Sequence, residues 1–273
     1  MILLPKKSDD THDAQKVAWR QIALGKKRLP KPEAALAQGQ KPGGIGGSHS
    51  EAIWATVTSI SDKLEDISDG LKETTYETKT RGSRVNGPAR LAGRGHYLLS
   101  IRQAPQTSQR EVRLSYYLSH PSEQEFGPVQ EALGLEAPCS SIILQMRNPT
   151  LPQTGPGAPP AGLPAEERVQ LTDEQMKETF GGPVKESGGE GSGNRYGRPE
   201  RMDLLDSSGV ELLLIAKDAK TEEHDVAADA QKKHELEELA EKDHANLDDT
   251  DVLKELGMSA KEFPVEALSG KWI

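Results

Sequence analysis

Two runs, HYLLSIRQ at 96–103 and EVRLSYYLSH at 111–120, decide the fold of this chain. In the second, Val112, Leu114, Tyr116 and Leu118 alternate with Arg113, Ser115 and Tyr117, the period of two that sends successive side chains to opposite faces of a strand. A polar connection containing Pro105 joins the runs, so they read as an antiparallel hairpin with one buried face. Pro121 ends the second strand because it has no amide to donate. Downstream, Phe126, Val129, Gln130, Leu133 and Leu135 suit a short amphipathic helix closed by Gly134. SSIILQMRNP (140–149) is a third strand stopped at Asn148-Pro149. ELLLIAKD (211–218) is a fourth, apolar enough to sit centrally in the same sheet.

Upstream, Ile53, Trp54, Val57, Ile60, Leu64, Ile67 and Leu71 recur at steps of three and four, which predicts a helix capped by Ser50 with Trp54 as core filling. YETKTRGSR (76–84) then reads as an extended edge segment. A weaker stripe of Val17, Ala18, Gln21, Ile22 and Leu24 reads as a short N-terminal helix, and KKRLPKPE and KPGGIGGSHS after it as linker. The glycines at 43–47 lack the strand and the Gly-Lys-Ser/Thr ending of a phosphate loop. Beyond the third strand, Thr172 caps a short helix carrying Met176 and Phe180, and GGPVKESGGEGSGNRYGRPE (181–200) reads as a flexible loop. Residues 222–243 form a charged helix with a thin stripe of Val226, Ala230, His234, Leu236 and Leu239, the pattern of a solvated arm or partner-binding element.

These elements predict an α+β fold: a small mixed or antiparallel sheet of about four to five strands with packed helices. The expected division is a flexible basic arm over 1–50, a core over 51–218 with Pro/Gly-rich insertions at 150–170 and 181–200, and an acidic helical tail over 219–273. Hydrophobic residues make up 34% of the chain and aromatics 4%, which leaves much of it as linker or exposed helix. The formal charge of −9 disfavours binding to nucleic acid, which rests on neutralising phosphates. Charge is uneven, with net +5 over 1–48 and net −8 over 219–273. The single Cys139 allows no internal disulfide and fits a reducing compartment. MILLPKK is too short for a signal-peptide apolar region, and no run approaches the roughly 20 apolar residues that span a bilayer. The expected location is therefore cytoplasmic or nuclear.

Arginines supply the best candidate ligand site. Arg81, Arg84, Arg90, Arg94 and Arg102 lie among Gly82, Gly87, Gly93 and Gly95, and guanidinium forks suit carboxylate or phosphate. Arg81, Arg84, Arg94, Arg102 and Tyr97 are taken as that site, against the plain alternative of a solvated basic loop. His96, His120 and Cys139 hold the residue types of nucleophilic catalysis but fall at strand ends. His224, His234 and His244 recur every ten residues, about 15 Å apart along a helix, too far to share a metal. No cofactor or metal pattern is read.

The order YETKTRGSR, GRGHYLLSIRQ, LSYYLSHP, FGPVQEALGL, IILQMRNP, ELLLIA and LKELGMSAKEFP resembles a group of fungal proteins that commonly carry the name "BTB domain transcription factor". The likeness covers roughly residues 51–273. It implies a nuclear regulatory protein with a dimerising BTB module, although the string of helices such a module needs is not read here. The sequence thus favours a non-enzymatic interaction or regulatory protein with a protein partner. The alternative is a small enzyme or ligand-binding accessory protein acting on an anionic metabolite at Arg81–Arg102.

Overall fold

A computed structural model describes residues 2–5, 18–24, 52–68, 71, 74–78, 82–86, 91–102, 111–127, 130, 139–152, 162–185, 192–215 and 226–246. The expected linker at 25–50, Arg81, Arg90, His224, most of the helix expected at 126–135, and the tail from 247 lie outside them.

The hairpin forms as the alternation requires. Strand β6 (Arg94–Arg102) pairs antiparallel with β7 (Glu111–His120), and β7 with β8 (Cys139–Arg147). Leu99, Leu114 and Ile142 fall opposite one another across the three strands, and each is at least 95% buried. Strand β10 (Val210–Ile215) is central: it pairs with β8 on one side and with β3 (Ala52–Ser61) on the other. From β3 the ladder continues through β2 (Trp19–Leu24) and β1 (Ile2–Pro5), and β1 lies parallel to β6. The circuit β10-β3-β2-β1-β6-β7-β8 returns to β10, so seven strands curl into a closed ring. Closed sheets of about eight strands enclose an interior just wide enough for side chains to fill. Here Tyr97, Tyr116, Leu114, Leu144, Met146 and Leu214 fill it, all 2% exposed or less.

The long connection from β8 to β10 adds a second layer to this core. Helix α2 (Asp173–Phe180) begins with a complete capping box between Thr172 and Gln175 and ends at Gly181, whose φ of 75° is the left-handed conformation glycine adopts freely. Its Met176 and Phe180 join the interior cluster, as do Leu204 and Leu205 of a 3-10 turn at Met202–Leu205. On the outer wall, Glu211 of β10 receives Arg147 of β8 at 2.7 Å, and Arg168 lies 3.7 Å from the same carboxylate. Arg168 also donates to the carbonyls of Leu163, Pro149 and Leu151, so this second cation is solvated by backbone. Gly162, at φ +85°, passes so close that a Cβ would collide with both the Arg147 guanidinium and the Glu211 carboxylate.

The α+β expectation holds, but the sheet is larger than the four to five strands expected and helices are few. The helix expected over 53–71 is strand β3 followed by a single short helix, α1 (Leu64–Ser68). Ile53 and Val57, four apart, fit either period, whereas the β-branched run ATVTSI favours a strand that closes the ring. The stripe expected as a short helix is, over Trp19–Leu24, strand β2, with Ile22 buried and Ala18 buried just before it, so this part of the expected N-terminal arm belongs to the barrel. Part of the loop expected to be flexible over 181–200 is also built in: Tyr196–Gly197 forms strand β9 against β8, and Asn148 donates to the carbonyls of Gly182 and Asn194. Strands β4 (Thr74–Thr78) and β5 (Gly82–Asn86) form a separate two-stranded ribbon, the extended segment read at 76–84.

Removing one partner of a buried ion pair leaves uncompensated charge. Glu211→Ala is expected to lower unfolding free energy by about 3–5 kcal/mol, measured by urea denaturation, while Glu178→Ala, on the exposed Arg201 pair, changes it by less than about 1 kcal/mol.

Candidate functional site

Of the five residues of the expected anion site, the structure describes the side chains of Arg84, Arg94 and Tyr97, which lie on different parts of the fold. Arg81 lies outside the described residues. Arg84 is exposed on the β4–β5 ribbon. Arg94 and Tyr97 share β6 but lie an odd number of residues apart, so one faces out and the other in. Arg102 ends that strand, its backbone opposite Glu111. Instead, the polar residues of β6 and β7 meet the charged helix that the sequence reads as a solvated arm or partner-binding element.

That element is helix α3 (Val226–Asn246), which lies along the outside of β6 and β7. Its seated stripe is Leu236, Ala240 and Asp243, at i, i+4 and i+7, the spacing of one helical face. Leu236 and Ala240 are each 2% exposed. Burying the leucine contributes about 1.5–3 kcal/mol. At the third position stands a carboxylate. One Asp243 oxygen accepts from Arg94 Nη1 at 3.0 Å and sits 2.7 Å from His96 Nε2. Arg94 is 3% exposed, and its guanidinium lies 4.6 Å from the Trp19 ring, sandwiched between the aromatic face and the carboxylate. Tyr117 donates to Glu237 at 3.4 Å, and the His120 and His244 rings lie 5.2 Å apart. Among the described side chains, helix and sheet are therefore joined by these polar groups as well as by Leu236 and Ala240.

Asp243 reports this environment. Burial opposes its charge, but the hydrogen bonds and positive charge of His96 and Arg94 outweigh burial and hold its carboxyl below the ordinary value. Nearby, the Ser122 side-chain and backbone hydrogen bonds hold the Glu125 carboxyl low, with smaller contributions from His244 and His120. His234, read on the thin stripe of this helix, is exposed and faces Glu238 at 3.3 Å along the helix.

The Cys–His reading does not assemble. Register places His96 opposite Tyr117 and Tyr117 opposite Cys139, so two strand spacings, about 9.5 Å, separate His96 from Cys139. His120 Nδ1 lies 3.2 Å from the Ser119 hydroxyl, while Asp243 is engaged with His96. No group of three metal-ligating side chains occurs among the described residues.

A second polar locus lies at the barrel mouth. Arg20, 1% exposed, donates to the carbonyls of Leu205 and Ala18 and to Asp206. With Ala18, Ile60 and Ser208, this pair lines a cleft of about 240 Å³. Its guanidinium lies 5.6 Å from the Tyr97 ring. The buried Tyr97 hydroxyl has no hydrogen-bond partner among the described residues, and burial drives its pKa well up, against the pull of Arg20. Sequence alone had no signal for Arg20 or Asp206, which stand 186 residues apart.

No family model, curated protein or solved structure matches the chain. Among the described residues, no helix is long and apolar enough to cross a membrane.

Because Asp243 is held below its ordinary pKa of 3.8, its contribution to seating α3 is complete above that pH and is lost as pH falls through the depressed value. In a chain with Trp54 and Trp272 replaced by Phe, Trp19 fluorescence is expected to report release of Arg94 only below about pH 4. Asp243→Asn is expected to weaken seating at neutral pH by about 1.5–3 kcal/mol and to abolish that acid step.

Proposed function

We propose that the protein is a non-enzymatic interaction module, working in a regulatory setting inside the cell through the outside of its barrel. The observation that carries this reading is the solid interior: Leu144 and Met146 are wholly inaccessible, and Tyr116 is 2% exposed. A barrel of this size, filled by its own side chains, leaves no room for a substrate at its axis. Recognition then falls to the surface, where the arginine best placed on the wall, Arg94, already holds the carboxylate of α3. Trp54 is the natural anchor. It is 39% exposed on the outer side of β3, with its ring centroid 6.0 Å from that of Tyr196, and aromatic side chains supply much of the binding energy at protein interfaces. The net charge of −9 supports a protein rather than a nucleic-acid partner, and the resemblance to fungal proteins named for transcription supports the regulatory setting.

A second reading, binding of a small polar metabolite, is favoured by one observation: the partnerless Tyr97 hydroxyl beside Arg20 and Asp206. The cleft above them, about 240 Å³, falls below the roughly 300–1,000 Å³ of ordinary ligand sites, which places this reading second.

Tagged wild-type and Trp54→Ala chains purified from native extract separate the two. The interaction reading expects a defined protein to co-purify with the wild type and to drop at least about fivefold with Trp54→Ala, a loss of about 1 kcal/mol or more. Recovery of only background proteins, together with thermal stabilisation by a metabolite that Arg20→Ala abolishes, reverses the ranking.

A further inference from the structure

We propose that the outer face of β6 and β7 beneath α3 is a docking site for an acidic amphipathic helix of a partner protein, and that α3 is its resident, displaceable occupant. This deepens the interaction reading and rests on it.

The chemistry of the seat identifies the guest. Its cationic side is Arg94, 3% exposed, with His96, and its aromatic side is Tyr117. Arg94 is braced from behind by Trp19 and from the side by the Ser119 hydroxyl at 3.4 Å. Such an arginine is pre-oriented toward one outward direction, where a carboxylate belongs. The apolar part of the seat accepts a large side chain and, one turn later, a small one. A matching helix therefore reads Leu-x-x-x-Ala-x-x-Asp, with an acceptor next to the leucine for Tyr117.

The attachment of α3 is that of a competitor rather than a core helix. Over its 21 residues, only Leu236 and Ala240 are buried hydrophobics among the described side chains. The helix carries six Asp/Glu against three Lys, so charge draws it to the seat, and salt screens that attraction. Ten residues, 216–225, tether it to β10. Being part of the same chain, α3 meets the seat intramolecularly, an advantage that a partner helix has to overcome.

The test uses the full chain and a fluorescein-labelled peptide of residues 226–246. Leu236→Asp is introduced to unseat α3, and faster amide exchange over 226–246 with protected β6 and β7 confirms the unseating. The proposal expects the peptide to bind this variant at least about tenfold more tightly than wild type. It also expects binding to fall at least about tenfold when the peptide carries Asp243→Lys, and to protect amides 94–100 and 112–119. Should Leu236→Asp unfold the barrel, the double variant Glu237→Gln, Asp243→Asn carries the same comparison. An unseated α3 with no gain in peptide binding, or equal binding of the Asp243→Lys peptide, overturns the proposal. If the peptide fails while the Trp54-dependent partner is still captured, the docking site falls and the interaction reading stands. Loss of both removes that reading as well.

Discussion

The double pairing of β10 is the constraint on which the rest of the structure depends. Leu212 stands opposite Ala55 on one side and Met146 on the other, so one strand turns an open sheet into a ring. A ring has no free edges to protect, and its inner face becomes a single apolar volume that every strand must fill. The same closure fixes the outer wall, because a residue next to an inward one has to point outward. Glu211, beside Leu212, therefore emerges where Arg147 and Arg168 meet it. Arg94 and His96, out of phase with Tyr97, emerge under α3.

How much of this was legible follows from the range of each interaction. Strands β6, β7, β8 and β10 were readable because their alternation or apolar runs are local, and helix α2 because Thr172 and Gln175 write its cap within four residues. Strands β2 and β3 were misread as helices. Over a few residues a spacing of four fits both periods, and the β-branched run at 55–60 together with ring closure decides between them. Of the candidate site, the types of residue were visible and their grouping was not. Arg94 and His96 were singled out in the sequence, but Asp243 lies about 150 residues away in a helix whose weak stripe looked solvated. Counting only apolar residues hid that stripe, since its third member is an aspartate.

That aspartate also bears on how firmly the outer layer is held. A helix seated by leucines alone would be indifferent to pH and nearly so to salt. One seated by Leu236, Ala240 and a carboxylate shared between Arg94 and His96 responds to both. The inner and outer layers thus differ in kind. The interior is bound by area removed from water, the outer wall by a few oriented charges.

Oriented charges impose a cost that apolar contacts do not. If α3 left without a replacement, Arg94 and His96 would lose the Asp243 carboxylate that now faces them. An empty seat is therefore unfavourable, while exchange of one carboxylate-bearing helix for another preserves the hydrogen bonds at every stage but the transition. A surface of this kind favours replacement over simple opening, and the chemistry of the incoming group, more than its apolar area, decides whether replacement succeeds.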